Sequence, residues 1–456
     1  MANHYYHSVR LREDKCIGCV TCVTYCPTDA IRVRDGKAII LENRCIDCGE
    51  CIRRCPSHAK YAVTDAFEKT AKYNYNIVLA PPSLYGQFGL EVSNGDIQEG
   101  LLSIGFDEVF DVGLASEYVS REIEKYVRNY QGGRKPLISS ACPAVLRLIQ
   151  VRFPELINQV VPALAPGEAA GIYVKNLACE KFGLKPSEVG VWFVSPCAAK
   201  TTNIHQSVDV KETAISGTLS VATIFGRLCR AFKNKTTCRN IEKITTGSSY
   251  GMGWGHAGGE VRATGLKNSL VVSGIDEVIS VLEQISMNKL QGVDYVECLA
   301  CPSGCVGGPL TAVNNFVGEN NLKQRIRQMS DKEEDKRKEV LKKSMNLTNF
   351  PNSKRYLKQL QARPMMQLDE NIEQAMKKLE KVDEVLCRLP GIDCKACGAP
   401  SCQALAEDIV NGNAHEADCI YVLRESVQKL ANGMIELASQ IPISGGRLLK
   451  CKEEKK

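Results

Sequence analysis

Three cysteines stand within eight positions at Cys298, Cys301 and Cys305, in the stretch ECLACPSGCVGGPL. Three thiols on so short a loop can make a disulfide staple, a zinc site or an iron–sulfur site. The chain holds 22 cysteines but only six histidines, and no histidine shares a short motif with a cysteine pair. That balance favours all-thiolate iron–sulfur sites over mixed Cys/His zinc sites. The opening MANHYYHSVRLRED lacks a secretory apolar region, and no apolar run is long enough to span a membrane. A cytoplasmic location is therefore expected, with no membrane partner. Structural disulfides are rare in that compartment, so the cysteines are expected to serve metal or redox chemistry. A net charge of +6 on 456 residues, without a basic stripe interleaved with aromatics, gives no reason to expect a nucleic-acid partner.

Two further runs share one spacing. Cys16, Cys19, Cys22 and Cys26 precede Pro27, and Cys45, Cys48, Cys51 and Cys55 precede Pro56. Both read C-x2-C-x2-C-x3-C-P and resemble the bacterial two-cluster ferredoxin run, in which the fourth cysteine ligates the other cluster. The expected sets are Cys16, Cys19, Cys22 and Cys55 for cluster one, and Cys45, Cys48, Cys51 and Cys26 for cluster two. Two zinc ribbons are the alternative. Such a module moves single electrons, so it implies a redox partner on one side and a redox site on the other.

From about residue 75 the pattern changes. YNIVLAPPS, KPLISSACP, VGVWFVSPC and VDYVECLAC read as short strands entering loops, and SEYVSREIEKYVRNYQ, GEAAGIYVKNLACEKFG and VATIFGRLCRAF have helical periodicity. The alternation predicts a mainly parallel α/β sheet covered by helices on both faces. Cys142, Cys197 and Cys301 each lie just past a predicted strand. Ligand sites collect at the carboxyl ends of parallel strands, so these three and Cys305 form a candidate four-thiolate set for another cubane.

SSACPAV, SPCAAK and ECLACPSGCVGG resemble, in order, the three signature loops of the iron-only (FeFe) hydrogenases. The resemblance covers about residues 1–320. It implies that Cys142, Cys197, Cys301 and Cys305 hold an H-cluster, a cubane joined through Cys305 to a two-iron subsite with carbon monoxide, cyanide and a dithiolate amine. Lys200 matches the lysine that hydrogen-bonds a cyanide. GMGWGHAGG, with Trp254 and Gly255, resembles the glycine-rich loop that closes over the two irons. The implied activity is interconversion of protons plus electrons with dihydrogen. The implied partners are a ferredoxin or similar electron carrier and the hydrogenase maturation proteins.

The departures from that family pattern are informative. The commonest catalytic members have a relay cysteine where this chain has Ala141. Ser195 replaces a common methionine, and Pro309 replaces a usual glycine. A loose alignment puts Arg121 near the place of a relay glutamate, with Glu124 as a surviving second one. These changes resemble a divergent, sensory subgroup, for which a signalling partner is expected. Cys298 reads as a buried small thiol beside the site, and Cys179, Cys229 and Cys238 as core or surface thiols. His256 reads equally as a contact of the site or as a structural histidine.

Past residue 331 the chain is charge-rich. Cys394, Cys397, Cys402 and Cys419 then form C-x2-C-x4-C-x16-C. This spacing resembles the four-cysteine cluster domain of corrinoid iron–sulfur proteins, with zinc as the alternative. Cys387 and Cys451 have no partner spacing. The expected organisation is a two-cluster ferredoxin-like domain (1–70), an α/β H-cluster domain with mainly parallel sheets (71–330), a charged helical linker (331–385) and a small helical iron–sulfur domain (386–456). The expected cofactors are three 4Fe-4S clusters and an H-cluster. Three functions compete: a hydrogenase, a slow-turnover hydrogen or redox sensor, and an iron–sulfur assembly factor that lacks the two-iron unit.

Overall fold

Apolar runs such as YNIVLA and VGVWFVS have no polar face, as strands buried on both sides require. In the computed structural model, which describes residues 5–233, 247–333, 350–363, 368 and 371–440, they become the centre of a parallel sheet. Its strands are β1 (Tyr75–Ala80), β2 (Glu108–Asp111), β4 (Val189–Ser195) and β5 (Gly217–Ser220), in the order β2-β1-β4-β5. Ile77 lies between Glu108 and Val191, all strands running the same way. A second parallel sheet holds β3 (Leu137–Ile138), β6 (Ser269–Ser273) and β7 (Tyr295–Leu299), in the order β6-β7-β3. The expected α/β domain with mainly parallel sheets is thus present, its strands divided between two of them. Strand β3 has two residues; it pairs with β7 and makes one isolated parallel bridge from Ile138 to Val160.

Helices cover both sheets. Helix α1 (Val112–Arg128) starts where the Asp111 carboxylate accepts from the Gly113 backbone N–H at 2.8 Å, satisfying one of the donors left free at a helix start. Helix α2 (Pro143–Arg152) follows Cys142, α3 (Pro166–Phe182) ends at Gly183 with φ +65°, α4 (Ala198–His205) follows Cys197, and α5 (Val221–Lys233) follows β5. Ile77, Leu79, Phe110 and Val191 are buried in one core, and Ile138, Val145, Leu148, Val278 and Val296 in another. Each such side chain contributes about 1.5–3 kcal/mol of burial.

The first seventy residues wrap two short antiparallel pairs, Val9–Leu11 with Lys60–Ala62 and Ile31–Arg34 with Lys37–Ile40. Asp35 and Gly36 turn the second hairpin with φ of 49° and 71°, the positive values a two-residue turn of this kind requires. Ile46 and Cys48 of this module share a core with Cys197 and Ala199.

Residues 366–456 form a separate unit. Helix α6 (Ile372–Arg388) buries Val382 and Val385 in the same core as Leu405 of α7 (Cys402–Val410), and α8 (Ile420–Gln440) follows. The linker expected to run to 385 is therefore corrected: α6 belongs to the tail unit. Its apolar residues are spaced for one face, but the surrounding charges hide that spacing. Cys238, Cys451 and residues 334–349 lie outside the described residues. Among the described residues no helix is long and apolar enough to cross a membrane.

Candidate metal centres

The fold crosses the two cysteine runs of the first module. Cys26 lines one small cavity with Cys45, Cys48 and Cys51, the fourth cysteine of one run beside the first three of the other. Cys22 in turn has Cys19, Cys16 and Cys55 as charged neighbours. The repeat extends to the hydrogen bonds. The Ala30 N–H donates to Cys26 Sγ and the Ala59 N–H to Cys55 Sγ, each at 3.2 Å. Burial pushes the Cys22 thiol up to about 11 and the Cys51 thiol up to about 12, and Lys60 partly offsets it in both. Thiols so buried give up their protons only to a metal. The buried Lys60 Nζ has no hydrogen-bond partner among the described residues. An anionic cluster between these thiols would satisfy it, so the donor set fits two cubanes.

The central set assembles from both sheets. Cys142 follows β3 and caps α2, while Cys197 follows β4 and caps α4. Helix N-termini carry partial positive charge, which suits thiolate. Cys301 follows β7, and Cys305 sits in a short 3-10 turn, Gly304–Gly307. Burial pushes Cys197 up to about 12, opposed by Lys200 and reinforced by Cys301, Cys305 and Cys142. Lys200 Nζ lies 3.9 Å from Cys305 Sγ. Burial disfavours its ammonium, but Cys305 and the other three thiols outweigh that and hold its pKa above the ordinary lysine value. The four expected cysteines and Lys200 therefore share one buried site.

The loops hold each other by contacts only glycine permits. Gly304 has φ +82°, and a Cβ there would lie 2.7 Å from the Ala257 nitrogen of the glycine-rich loop. A Cβ on Gly308 would strike the Pro196 carbonyl beside Cys197. Pro309 faces the ferredoxin-like module: a Cβ on Gly49, φ +78°, would lie 2.5 Å from its ring. From that module Arg53 Nη1 reaches Cys301 Sγ at 3.5 Å and the Gly307 carbonyl at 3.5 Å. The proline thus marks the seam between the two redox sites.

A cavity of about 80 Å³ opens beside Cys305. Lys200, Ala141, Trp254, Gly255 and Ser83 line it, together with the carboxyls Glu260, Glu297 and Glu168. The Ser83 hydroxyl is buried without a hydrogen-bond partner among the described residues. An ammonium and a free hydroxyl lining a mostly apolar cavity next to a thiol fit a small group with anionic ligands. Trp254 Nε1 donates to Ser120 Oγ at 2.9 Å, which fixes the indole at the wall.

Sequence reasoning missed the carboxyls. Glu260 accepts from Ser139 Oγ at 2.8 and 2.9 Å and from the Tyr295 hydroxyl. The same Ser139 Oγ accepts from the Ala141 N–H at 3.2 Å. Glu297 accepts from the Gly258 and Val261 N–H groups, each at 2.9 Å. Burial raises both well above the ordinary carboxylate range; the Glu260 charge raises Glu297 further, while the Tyr295 and Ser139 hydroxyls and Lys200 partly offset the rise at Glu260. The signal was present: an acid inside the apolar strand YVECL, and another directly after the glycine-rich loop. Glu124, by contrast, is a surface residue paired with Arg128 at 3.0 Å, and Arg121 is half-buried between Glu117 and Glu124. Neither lines the cavity. His256 bonds the Ala257 carbonyl at 2.6 Å and is not among the lining residues. Cys298 is fully buried in one core, Cys179 and Cys229 are partly buried against two other cores, and Cys387 is exposed.

Glu168 gives a stability test. Burial, then the Asp209 charge, pushes its carboxyl up to about 8. The folded state therefore binds a proton that the unfolded chain has released, so stability is full below the unfolded value near 4.3 and falls as pH rises toward 8. The slope is about 1.4 kcal/mol per pH unit. Glu168→Gln is expected to remove that loss, making the variant more stable than the parent at pH 8 but not at pH 5. Denaturant midpoints at the two pH values check this; equal parent-to-variant differences at both would contradict it.

In the tail unit Cys394, Cys397, Cys402 and Cys419 line one small cavity with Asp393 and Lys395. Asp393 Oδ1 accepts from the Cys402 N–H at 2.6 Å, and Asp393 and Lys395 take positive φ to curl the loop inward.

A family described as iron only hydrogenase large subunit, C-terminal domain, matches residues 74–222 and 205–309, about half of the chain. A 4Fe-4S dicluster domain matches 8–72, and an Fe-S cluster domain matches 389–421. The NADP-reducing hydrogenase subunit HndD of Solidesulfovibrio fructosivorans is 23% identical over 66% of this chain and 56% of its own. The periplasmic Fe hydrogenase large subunit of Nitratidesulfovibrio vulgaris is 31% identical over 42% and 50%. The cytosolic Fe-S cluster assembly factor NAR1 of Yarrowia lipolytica is 27% identical over 26% and 25%. The chain thus spans little more than half the length of these relatives at most. A solved FeFe-hydrogenase from Chlamydomonas reinhardtii superposes with a TM-score of 0.48 at 14% identity, over 64% of this chain and 95% of that one. With its signature loops gathered around one buried four-thiol site, and with the family match spanning about half its length, the chain belongs to the iron-only hydrogenase large-subunit family.

Proposed function

We propose that this chain is a hydrogenase interconverting dihydrogen with two protons and two electrons, and that Cys142, Cys197, Cys301 and Cys305 hold its H-cluster. The observation that carries the reading is the cavity beside Cys305, lined by Lys200 and the unpartnered Ser83 hydroxyl. A cubane alone needs four thiols and no such chamber, which speaks against the assembly-factor reading. When bound, a two-iron unit would supply the metal position and the amine at which protons and electrons meet.

The chain's own residues do the rest. The Lys200 ammonium and the Ser83 hydroxyl donate to anionic ligands; a charged donor makes the stronger bond. Cluster two is the inner electron relay, because Arg53 spans from its module to Cys301 and Cys48 shares a core with Cys197. Cluster one is the outer relay. Ile17, 69% exposed beside Cys16, offers an apolar contact for a ferredoxin-like carrier. Glu260 and Glu297 hold protons at the cavity wall, where burial keeps their carboxyls protonated at higher pH than an exposed acid. Ser139 links Glu260 to the backbone at Ala141.

Ala141 favours a second reading. Its methyl group lines the cavity and carries no titratable proton, which would slow turnover and suit a hydrogen or redox sensor acting through a partner. Anaerobic reconstitution and maturation are expected to load about 18 irons per chain, from four cubanes and two further irons. The loaded protein should then evolve hydrogen from a reduced dye. A load near 8, with zinc in the tail and no hydrogen, would overturn both the H-cluster and the tail-cluster assignments.

A further inference from the structure

Helix α8 (Ile420–Gln440) runs 21 residues and buries none of them. Among the described residues, its first turn touches the tail unit through Val422, which packs against the core, and Ile420, which borders the cysteine cavity. Helices of this length without tertiary support are marginal in water, and Gly433 in the interior weakens this one further. Apart from Tyr421 and Ile435, its exposed large apolar residues keep one order. Ile420, Leu423, Val427, Leu430, Met434 and Leu437 alternate by three and four positions and are all exposed, at 47–71%. That is a heptad seam.

We infer that α8 pairs with α8 of a second copy of this chain as a parallel two-stranded coiled coil. The seam itself selects the occupant. One set of core positions holds Ile420, Val427 and Met434, and the other holds Leu423, Leu430 and Leu437. Two of the three in the first set, Ile420 and Val427, are β-branched, and leucine fills the second, the combination that favours two parallel strands. Charge agrees. No acid or base lies on the seam, and Arg424 is the only charged residue on the positions flanking it, so two identical helices meet without repulsion. Glu425 and Lys429 pair with each other at 2.7 Å on the outward face. With Arg424 and Glu436 they leave the polar face without net charge, which gives an anionic membrane nothing to attract. The area suffices: at about 60–120 Å² per aliphatic side chain, twelve seam residues bury on the order of 1,000 Å², the size at which specific pairing begins.

Cys419 immediately precedes the seam. In a parallel coil the helix axes lie about 8–10 Å apart, so the pair sets the two tail cluster sites side by side at the start of the coil.

The test is the solution mass of the full-length, iron-loaded protein by light scattering at tens of micromolar. The parent is expected at the mass of two chains. Leu430→Glu and Leu430→Lys are each expected at the mass of one, with unchanged iron content as the check on folding. In a parallel, in-register coil residue 430 faces its own copy, so mixing the two variants should restore the double mass. A monomeric parent would overturn the inference in favour of a seam covered by the chain itself or by a foreign partner. A dimer that survives Leu430→Glu would place the interface elsewhere. Failure of the mixed variants to pair would overturn the parallel register.

Discussion

Glu260→Gln is expected to lower hydrogen turnover by about 10²–10⁴-fold, the usual cost of losing a positioned acid–base group. Its carboxyl lines the cavity, accepts from Ser139 and Tyr295, and is raised by burial, which keeps it protonated above the ordinary carboxylate range. An amide of the same shape keeps the packing but carries no transferable proton. The sign with pH follows. A raised carboxyl is a donor below its pKa and an acceptor above it, so hydrogen evolution by the parent should fall, and oxidation rise, as pH climbs through that value. Both trends should flatten in the variant, while iron content stays unchanged. Full activity with an unaltered pH profile in Glu260→Gln would remove Glu260 from the proton path and leave Glu297 as the candidate.

Cys305→Ser should abolish hydrogen turnover altogether. Among the four central thiols, Cys305 has Lys200 Nζ at 3.9 Å and also lines the cavity. It is therefore the thiol through which a cubane and a two-iron unit would be joined. The paramagnetic signals of the reduced first module should persist, because its thiols lie in a separate crossed pair of sets around Lys60. Retained turnover would mean that another cysteine makes the bridge.

The cysteines were legible because cluster ligands obey spacing. Two identical C-x2-C-x2-C-x3-C-P runs and three loops past strand ends are patterns of number, and the fold brings their thiols together. Their partners obey burial, which a sequence does not display. Glu297 inside YVECL and Glu260 after the glycine-rich loop are marked by position, but only the fold shows Tyr295, Ser139 and the backbone at Gly258 and Val261 enclosing them. Glu124, chosen by alignment with a helix, turns out to face solvent, because a shift along α1 rotates a side chain to another face. Pro309 is legible as a departure from the family pattern, and the approach of Gly49 gives it a role. The strand in KPLISSACP was legible, but which strands share a sheet was not, because β3 is two residues long and its pairing leaves no mark in the sequence.

The infrared spectrum of the matured, anaerobically prepared protein tests the central claim most directly. Carbon monoxide and cyanide stretches absorb where protein does not, so they report a two-iron unit in the cavity beside Cys305 without depending on turnover. The account predicts both sets of bands in the parent, a shift of the cyanide bands in Lys200→Met, and their absence in Cys305→Ser. A parent that carries its full complement of cubane iron yet shows neither band would contradict the account, leaving a four-cluster electron carrier in place of a hydrogenase.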